Sequence, residues 1–127
     1  MKKPVTAATV SFVLAPRINA AGRLCRTETA LRLLLTDDLE EAALLAKELC
    51  ELNRRRQELE SVVLEEALNA LGAEAPEGPI VLESESWHPG VVGIAASRLT
   101  EAFQLPAVMI CIDVENGSLS VSISKYG

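Results

Sequence analysis

The only histidine, His88, sits in Trp87-His88-Pro89-Gly90-Val91-Val92-Gly93, just before a predicted helix start. Unpaired backbone N–H groups and the helix dipole favour an anion at such a place, a phosphate for example. Gly90 permits close backbone approach, Pro89 suits a first helical turn, and Gly93 with Ala96 leaves a flat helix surface for packing on a sheet. The same residues also fit a simpler role in which Trp87 and His88 only shape and cap the turn. Arg17, Arg23 and Arg26 fall around Asn19 and Gly22, where several guanidinium groups could converge on a phosphate or stand solvated and paired. Arg54-Arg55-Arg56 lies among Glu51, Glu58 and Glu60 and reads mainly as a salt-bridged, solvated face, with Glu51 and Arg55 in the favourable i, i+4 order.

Other chemistries lack their residues. No Asp and His cluster at ligand spacing suggests a two-metal phosphoesterase centre, no glycine-rich phosphate loop is present, and pairing His88 with any serine as a triad would be arbitrary. The residues by themselves show no catalytic centre.

Those residues must be placed by a chain of 127 residues, enough for one modest globular unit with an extended element. Hydrophobic residues at 49% and charged residues at 24% are those of a folding chain. Aromatic residues are only 3%, too few for stacking on many successive bases. A net charge of −6 opposes general attraction to nucleic acid, so contact with phosphate would need a local positive cluster. Cys25, Cys50 and Cys111 are odd in number and scattered, as expected of reduced thiols in a cytoplasmic protein. No apolar run approaches the roughly 20 residues of a membrane span, and the first residues lack a signal-peptide pattern.

The periodicity predicts a short helix over Val5 to Leu14, closed before Pro16, and a compact turn over Pro16 to Arg23 with Asn19 and Gly22 as its left-handed residues. A helix from Glu28 to Leu35 follows, capped by Thr27 and burying Leu31, Leu34 and Leu35. Thr36-Asp37-Asp38 then starts a long helix over Leu39 to Leu71, stopped by Gly72. It would span on the order of 50 Å at about 1.5 Å per residue, the length of a connector between domains. Ala42, Leu45, Leu49, Leu52, Leu59 and Val63 form its apolar seam. The break at Arg56 favours packing within the chain over a coiled-coil dimer.

Ile80-Val81-Leu82, Ala107 to Ile112 and Leu119 to Ile123 predict three strands, with a helix over Val91 to Phe103 between the first two and a hairpin at Glu115-Asn116-Gly117. The class is α/β, with α+β as its neighbour: a long connector helix and a small, partial β-α-β-β unit, one sheet face and edge of which would lack cover.

Two motifs carry a family resemblance. Leu14-Ala15-Pro16-Arg17-Ile18-Asn19-Ala20-Ala21-Gly22-Arg23-Leu24 is similar to a signature near the end of the catalytic domain of RecJ-type exonucleases, and Trp87 to Leu99 resembles the hallmark of their second domain, DHHA1. Leu33 to Asp38 and Asn53 to Gln57 resemble the interdomain helix between them. The resemblance implies a parent enzyme that removes nucleotides from the 5′ end of single-stranded DNA with manganese or magnesium held by Asp and His residues of its DHH domain. It implies that residues 1–26 end that domain, 27–72 form the helical linker, and 73–127 begin DHHA1, with both ends expected to be cut. No metal ligand is then expected in this chain, whose partners would be single-stranded DNA and the missing DHH domain, with self-association less favoured. Arg17, Asn19, Arg23, His88 and Gly90 become substrate-side candidates, with Ser120 and Ser122 on a strand where the family carries a serine and an arginine; Val121 stands at the arginine position. The rivals are a related phosphoesterase acting on short RNA or a phosphorylated nucleotide, and a non-catalytic helical interaction module.

Overall fold

Thr6 and Thr9 begin the ordered helices by capping one another: each backbone N–H donates to the other's hydroxyl at 3.2 Å. The computed structural model describes residues 3–127. The chain divides into two units, one ending at Gln57 and one running Glu58–Gly127, and each is considered by itself.

In the first unit, α1 (Ala7–Thr9) passes through a π-helical stretch, Val10–Leu14, into α2 (Ala15–Arg23). The turn predicted over Pro16 to Arg23 is therefore helix. The wide π turn, closed by the Ala15 N–H on the Val10 carbonyl, restarts the hydrogen-bond register immediately ahead of the proline. Pro16 then falls in the first turn of α2, where a missing N–H costs nothing. The left-handed residue is Cys25 at φ +58°, rather than Asn19 or Gly22. Arg26 N–H reaches back to the Ala21 carbonyl at 2.7 Å and Cys25 N–H to that of Gly22 at 3.4 Å, which is the Schellman helix end.

The next helix, α3 (Thr27–Leu35), starts without a side-chain cap, and its buried residues are Thr29 and Ala30. Leu31, Leu34 and Leu35, the predicted stripe, are 56%, 62% and 72% exposed. Polar contacts turn the helix the other way. The Thr29 hydroxyl donates to Glu48 at 3.0 Å, Arg26 pairs with the same carboxylate, and Arg32 pairs with Glu41 at 2.7 Å. Ala21, Ala30 and Leu49 then form a small core with Ile18, Leu33 and Leu52.

α4 (Leu39–Leu71) keeps the predicted bounds. Asp38 accepts the Glu40 N–H at 2.9 Å at its start, and Gly72 leaves at φ +78°. Its seam is covered by residues of this chain: Leu49 and Leu52 in the first unit, Val63 with Leu59 in the second.

In the second unit, β1 (Ile80–Ser84), α5 (Pro89–Phe103), β2 (Ala107–Asp113) and β3 (Ser118–Ser124) follow the last turns of α4. The sheet order is β1-β2-β3, parallel between β1 and β2 with Ile80 opposite Ala107, antiparallel between β2 and β3 with Met109 opposite Ser122. Asp113 closes the hairpin by accepting both the backbone N–H and the side-chain amide of Asn116, at 3.0 and 2.7 Å, with Gly117 at φ +63°. Strand alternation puts Ile80, Ala107, Met109 and Cys111 against Val91, Val92, Ala95, Ala96 and Leu99 of α5. Val81, Leu119, Val121 and Ile123 occupy the other face, exposed. Among the described residues no helix is long and apolar enough to cross a membrane.

Candidate functional site

β1 ends in a run of tethered residues that delivers His88 to the start of α5. The Ser84 hydroxyl accepts the Ser86 N–H at 3.1 Å, and the two serine hydroxyls meet at 2.8 Å. Trp87 is buried, and its indole N–H donates to Glu66 of α4 at 2.7 Å. A buried indole keeps such a polar partner because its N–H would otherwise be desolvated without return.

His88 is the N-cap of α5. Its Nδ1 accepts the Gly90 N–H at 2.9 Å and its carbonyl accepts the Val91 N–H at 3.1 Å, while Pro89 has no N–H to offer. Val91 and Val92 are fully buried. His88 therefore takes up the N–H groups of Gly90 and Val91 from within the chain. What the turn presents instead is the half-buried imidazole itself. With Nδ1 engaged as an acceptor, the neutral ring carries its proton on Nε2, a donor suited to a phosphate oxygen.

The strand serines are on the α5 side of the sheet, opposite Cys111 and Met109 in the pairing register. Ser122 lies beside Gly93, where a Cβ would stand 3.8 Å from its hydroxyl. Ser120 lines a cavity of about 370 Å³ at the carboxyl ends of β1 and β2, together with Trp87 and Pro89. That crevice is where parallel sheets commonly receive ligands. Glu85, Asp113 and Glu115 also line it, so its charge opposes a phosphate inside. The two hydrogen bonds from Asn116 hold the Asp113 carboxyl below its ordinary pKa, and burial pushes the Cys111 thiol up, away from thiolate character.

The arginines of the first motif separate. Arg17 donates to the Val13 carbonyl at 2.6 Å and to Cys50 Sγ at 3.2 Å, both on the surface of the first unit. Arg26 is bound to Glu48. Asn19 and Arg23, four residues apart on the same face of α2, are exposed. Arg54 pairs with Glu51 at 2.8 Å and Arg56 donates to Asn53 at 3.1 Å, in keeping with a salt-bridged face. Sequence reasoning missed Glu66, whose partner is 21 residues away, and set Glu60 on the solvated face, whereas it is a buried carboxylate on α4 paired with Arg98 at 2.5 Å. Neither has a local signal.

No family model matches the chain. It is 42% identical over 110 residues to the single-stranded-DNA-specific exonuclease RecJ of Bacillus subtilis, covering 86% of this chain and 14% of that protein. With RecJ of Thermus thermophilus the identity is 52% over 101 residues, 80% of this chain and 15% of that one. The crystal structure of Thermus thermophilus RecJ in complex with Mg2+ superposes with a TM-score of 0.75 at 50% identity, covering 84% of this chain and 17% of the other. Sequence and fold together are similar to one segment of the class of proteins named single-stranded-DNA-specific exonucleases. Within that class the chain belongs, as a segment, to the RecJ family. It spans about a seventh of the length of these curated relatives.

Proposed function

We propose that this chain serves a RecJ-type enzyme as the helix linking two domains and as the front of the second, lending nucleic-acid-facing surface to the removal of nucleotides from the 5′ end of single-stranded DNA. The observation that carries this reading is 52% identity to a single-stranded-DNA-specific exonuclease, accompanied by the same fold. In this reading residues 1–26 complete the DHH domain, 27–72 are the linker and 73–127 open DHHA1. The covered seam of α4 leaves the helical-module alternative without support.

His88 offers Nε2–H to a phosphate oxygen while its Nδ1 holds the Gly90 N–H; in the first unit, Asn19 and Arg23 offer a donor and a charge of their own on α2. Arg17 braces α2 through Val13 and Cys50. Ser120 and Ser122 act from β3, without the arginine that Val121 replaces. The carboxylates of the cavity oppose a phosphate within it. Among the described residues no three His, Cys, Asp or Glu side chains gather to hold a metal ion. In this reading the manganese or magnesium of the reaction belongs to the DHH domain. The test is anisotropy with a 5′-phosphorylated oligothymidylate, using a RecJ enzyme that carries this segment. His88→Ala and Arg23→Ala should each weaken binding, and unchanged affinity in both would remove these residues from the substrate path.

A further inference from the structure

The carboxylate of Glu66 accepts two hydrogen bonds on one oxygen, Oε2: from the Trp87 indole N–H at 2.7 Å and from the Ser86 hydroxyl at 3.0 Å. Ser86 and Trp87 are the two residues that immediately precede His88, so α4 grips the polypeptide just where the α5 cap begins. Apolar packing beneath them fixes α4 itself, because Val63 and Ala67 are buried in the same core as Trp87 and Val91. Glu66 is exposed, so its side chain contributes little to that core. Its two bonds are to a charged acceptor and are therefore stronger than neutral ones.

We propose that Glu66 is a positioning residue for His88: through the Trp87 indole and the Ser86 hydroxyl it sets, from the long helix, where the imidazole stands. The proposal rests on the reading of His88 as a phosphate-side group. A shift of α4 near Glu66 would move the pair of donors, and with them the ring whose Nδ1 caps Gly90. The turn is thus the place where the linker helix communicates with the binding surface. A glutamine at this position keeps a carbonyl acceptor for the indole and should retain most of the effect, whereas alanine removes both bonds.

The sequence provides its own probes, since Trp87 and His88 are the only tryptophan and histidine in the chain. Proton–nitrogen NMR of the 127-residue chain would follow the indole N–H and the imidazole ring in wild type, Glu66→Ala and Glu66→Gln. Glu66→Ala should move both signals and raise indole exchange with solvent about tenfold, by loss of a charge-assisted hydrogen bond. Glu66→Gln should lie close to wild type, with the urea midpoints of all three similar. A Glu66→Ala spectrum with the His88 ring unmoved overturns the proposal, and so does a variant that simply unfolds, which would make Glu66 a stability residue. Titration of 5′-phosphorylated oligothymidylate into wild type and His88→Ala separates the underlying reading. If His88 takes no part in binding, that reading fails even though the Glu66→Ala shifts persist.

Discussion

His88 Nδ1 accepts the Gly90 N–H at 2.9 Å, so the ring proposed to meet a phosphate also caps the helix behind it. Capping and binding can be separated by substitution. His88→Ala should cost about 1 kcal/mol of stability through the lost N-cap, while His88→Asn, which caps well, should recover most of it. Neither supplies the imidazole Nε2–H, so both should weaken oligonucleotide binding in a RecJ context. Urea denaturation and anisotropy on the same variants check the two halves.

Cys25 holds a left-handed backbone at φ +58° in the helix end after α2. A side chain there costs about 1–2 kcal/mol, partly offset by the greater entropy glycine loses on folding. Cys25→Gly should therefore raise stability by about 0.5–1 kcal/mol, while Cys25→Ala gives no such gain. Thermal denaturation of both variants under reducing conditions is the measurement.

Glu60 has a side-chain exposure of 6% and is paired with Arg98, whose own side chain is 60% exposed. Removing the guanidinium takes one counter-charge from a carboxylate that water scarcely reaches. Arg98→Ala should cost about 2 kcal/mol, and Glu60→Gln combined with Arg98→Ala less than the single arginine change. A double-mutant cycle in urea reads the difference.

The Arg32 hydrogen bond, followed by that of Thr36, holds the Glu41 carboxyl below its ordinary value of 4.5. The unfolded chain binds more protons than the folded one between the two values, so stability rises with pH across that window. The contribution is complete above the unfolded value and is lost as pH falls through the folded one. Wild type should lose its advantage over Glu41→Gln as pH is lowered from neutral through that window. Urea midpoints between pH 7 and about pH 3 test the sign.

The legible parts of the fold were those decided locally. The bounds of α4 follow from Asp38 and Gly72, the β2–β3 hairpin from Asp113, Asn116 and Gly117, and the crossover from the apolar lengths around Pro106. The α2 turn was misread because proline stops a regular α-helix, whereas a π turn at Val10–Leu14 lets the helix restart at Ala15. The leucines of α3 were misread because two polar pairings, Thr29 with Glu48 and Arg32 with Glu41, orient that helix from a distance. At the site, the position of His88 before a helix was evident in its neighbours. Its capping of the turn was one of the two roles the residues left open, since a ring acceptor and a bound anion satisfy the same N–H groups. Glu66 and Glu60 depend on which turn of α4 meets Trp87 and Arg98, a matter of packing that no nearby residue announces.

The most direct test of membership in a single-strand-specific exonuclease is to exchange this chain for the matching segment of Thermus thermophilus RecJ and follow digestion of a 3′-labelled single strand. The chimera is predicted to degrade single-stranded DNA from its 5′ end, to spare duplex, and to stop when chelator is added. His88→Ala in that chimera should slow it about tenfold, the loss of roughly one hydrogen bond to a charged group. The 127-residue chain alone, under the same conditions, should digest nothing. A folded chimera that leaves single strands intact, or one that digests them equally well without His88, would contradict the account.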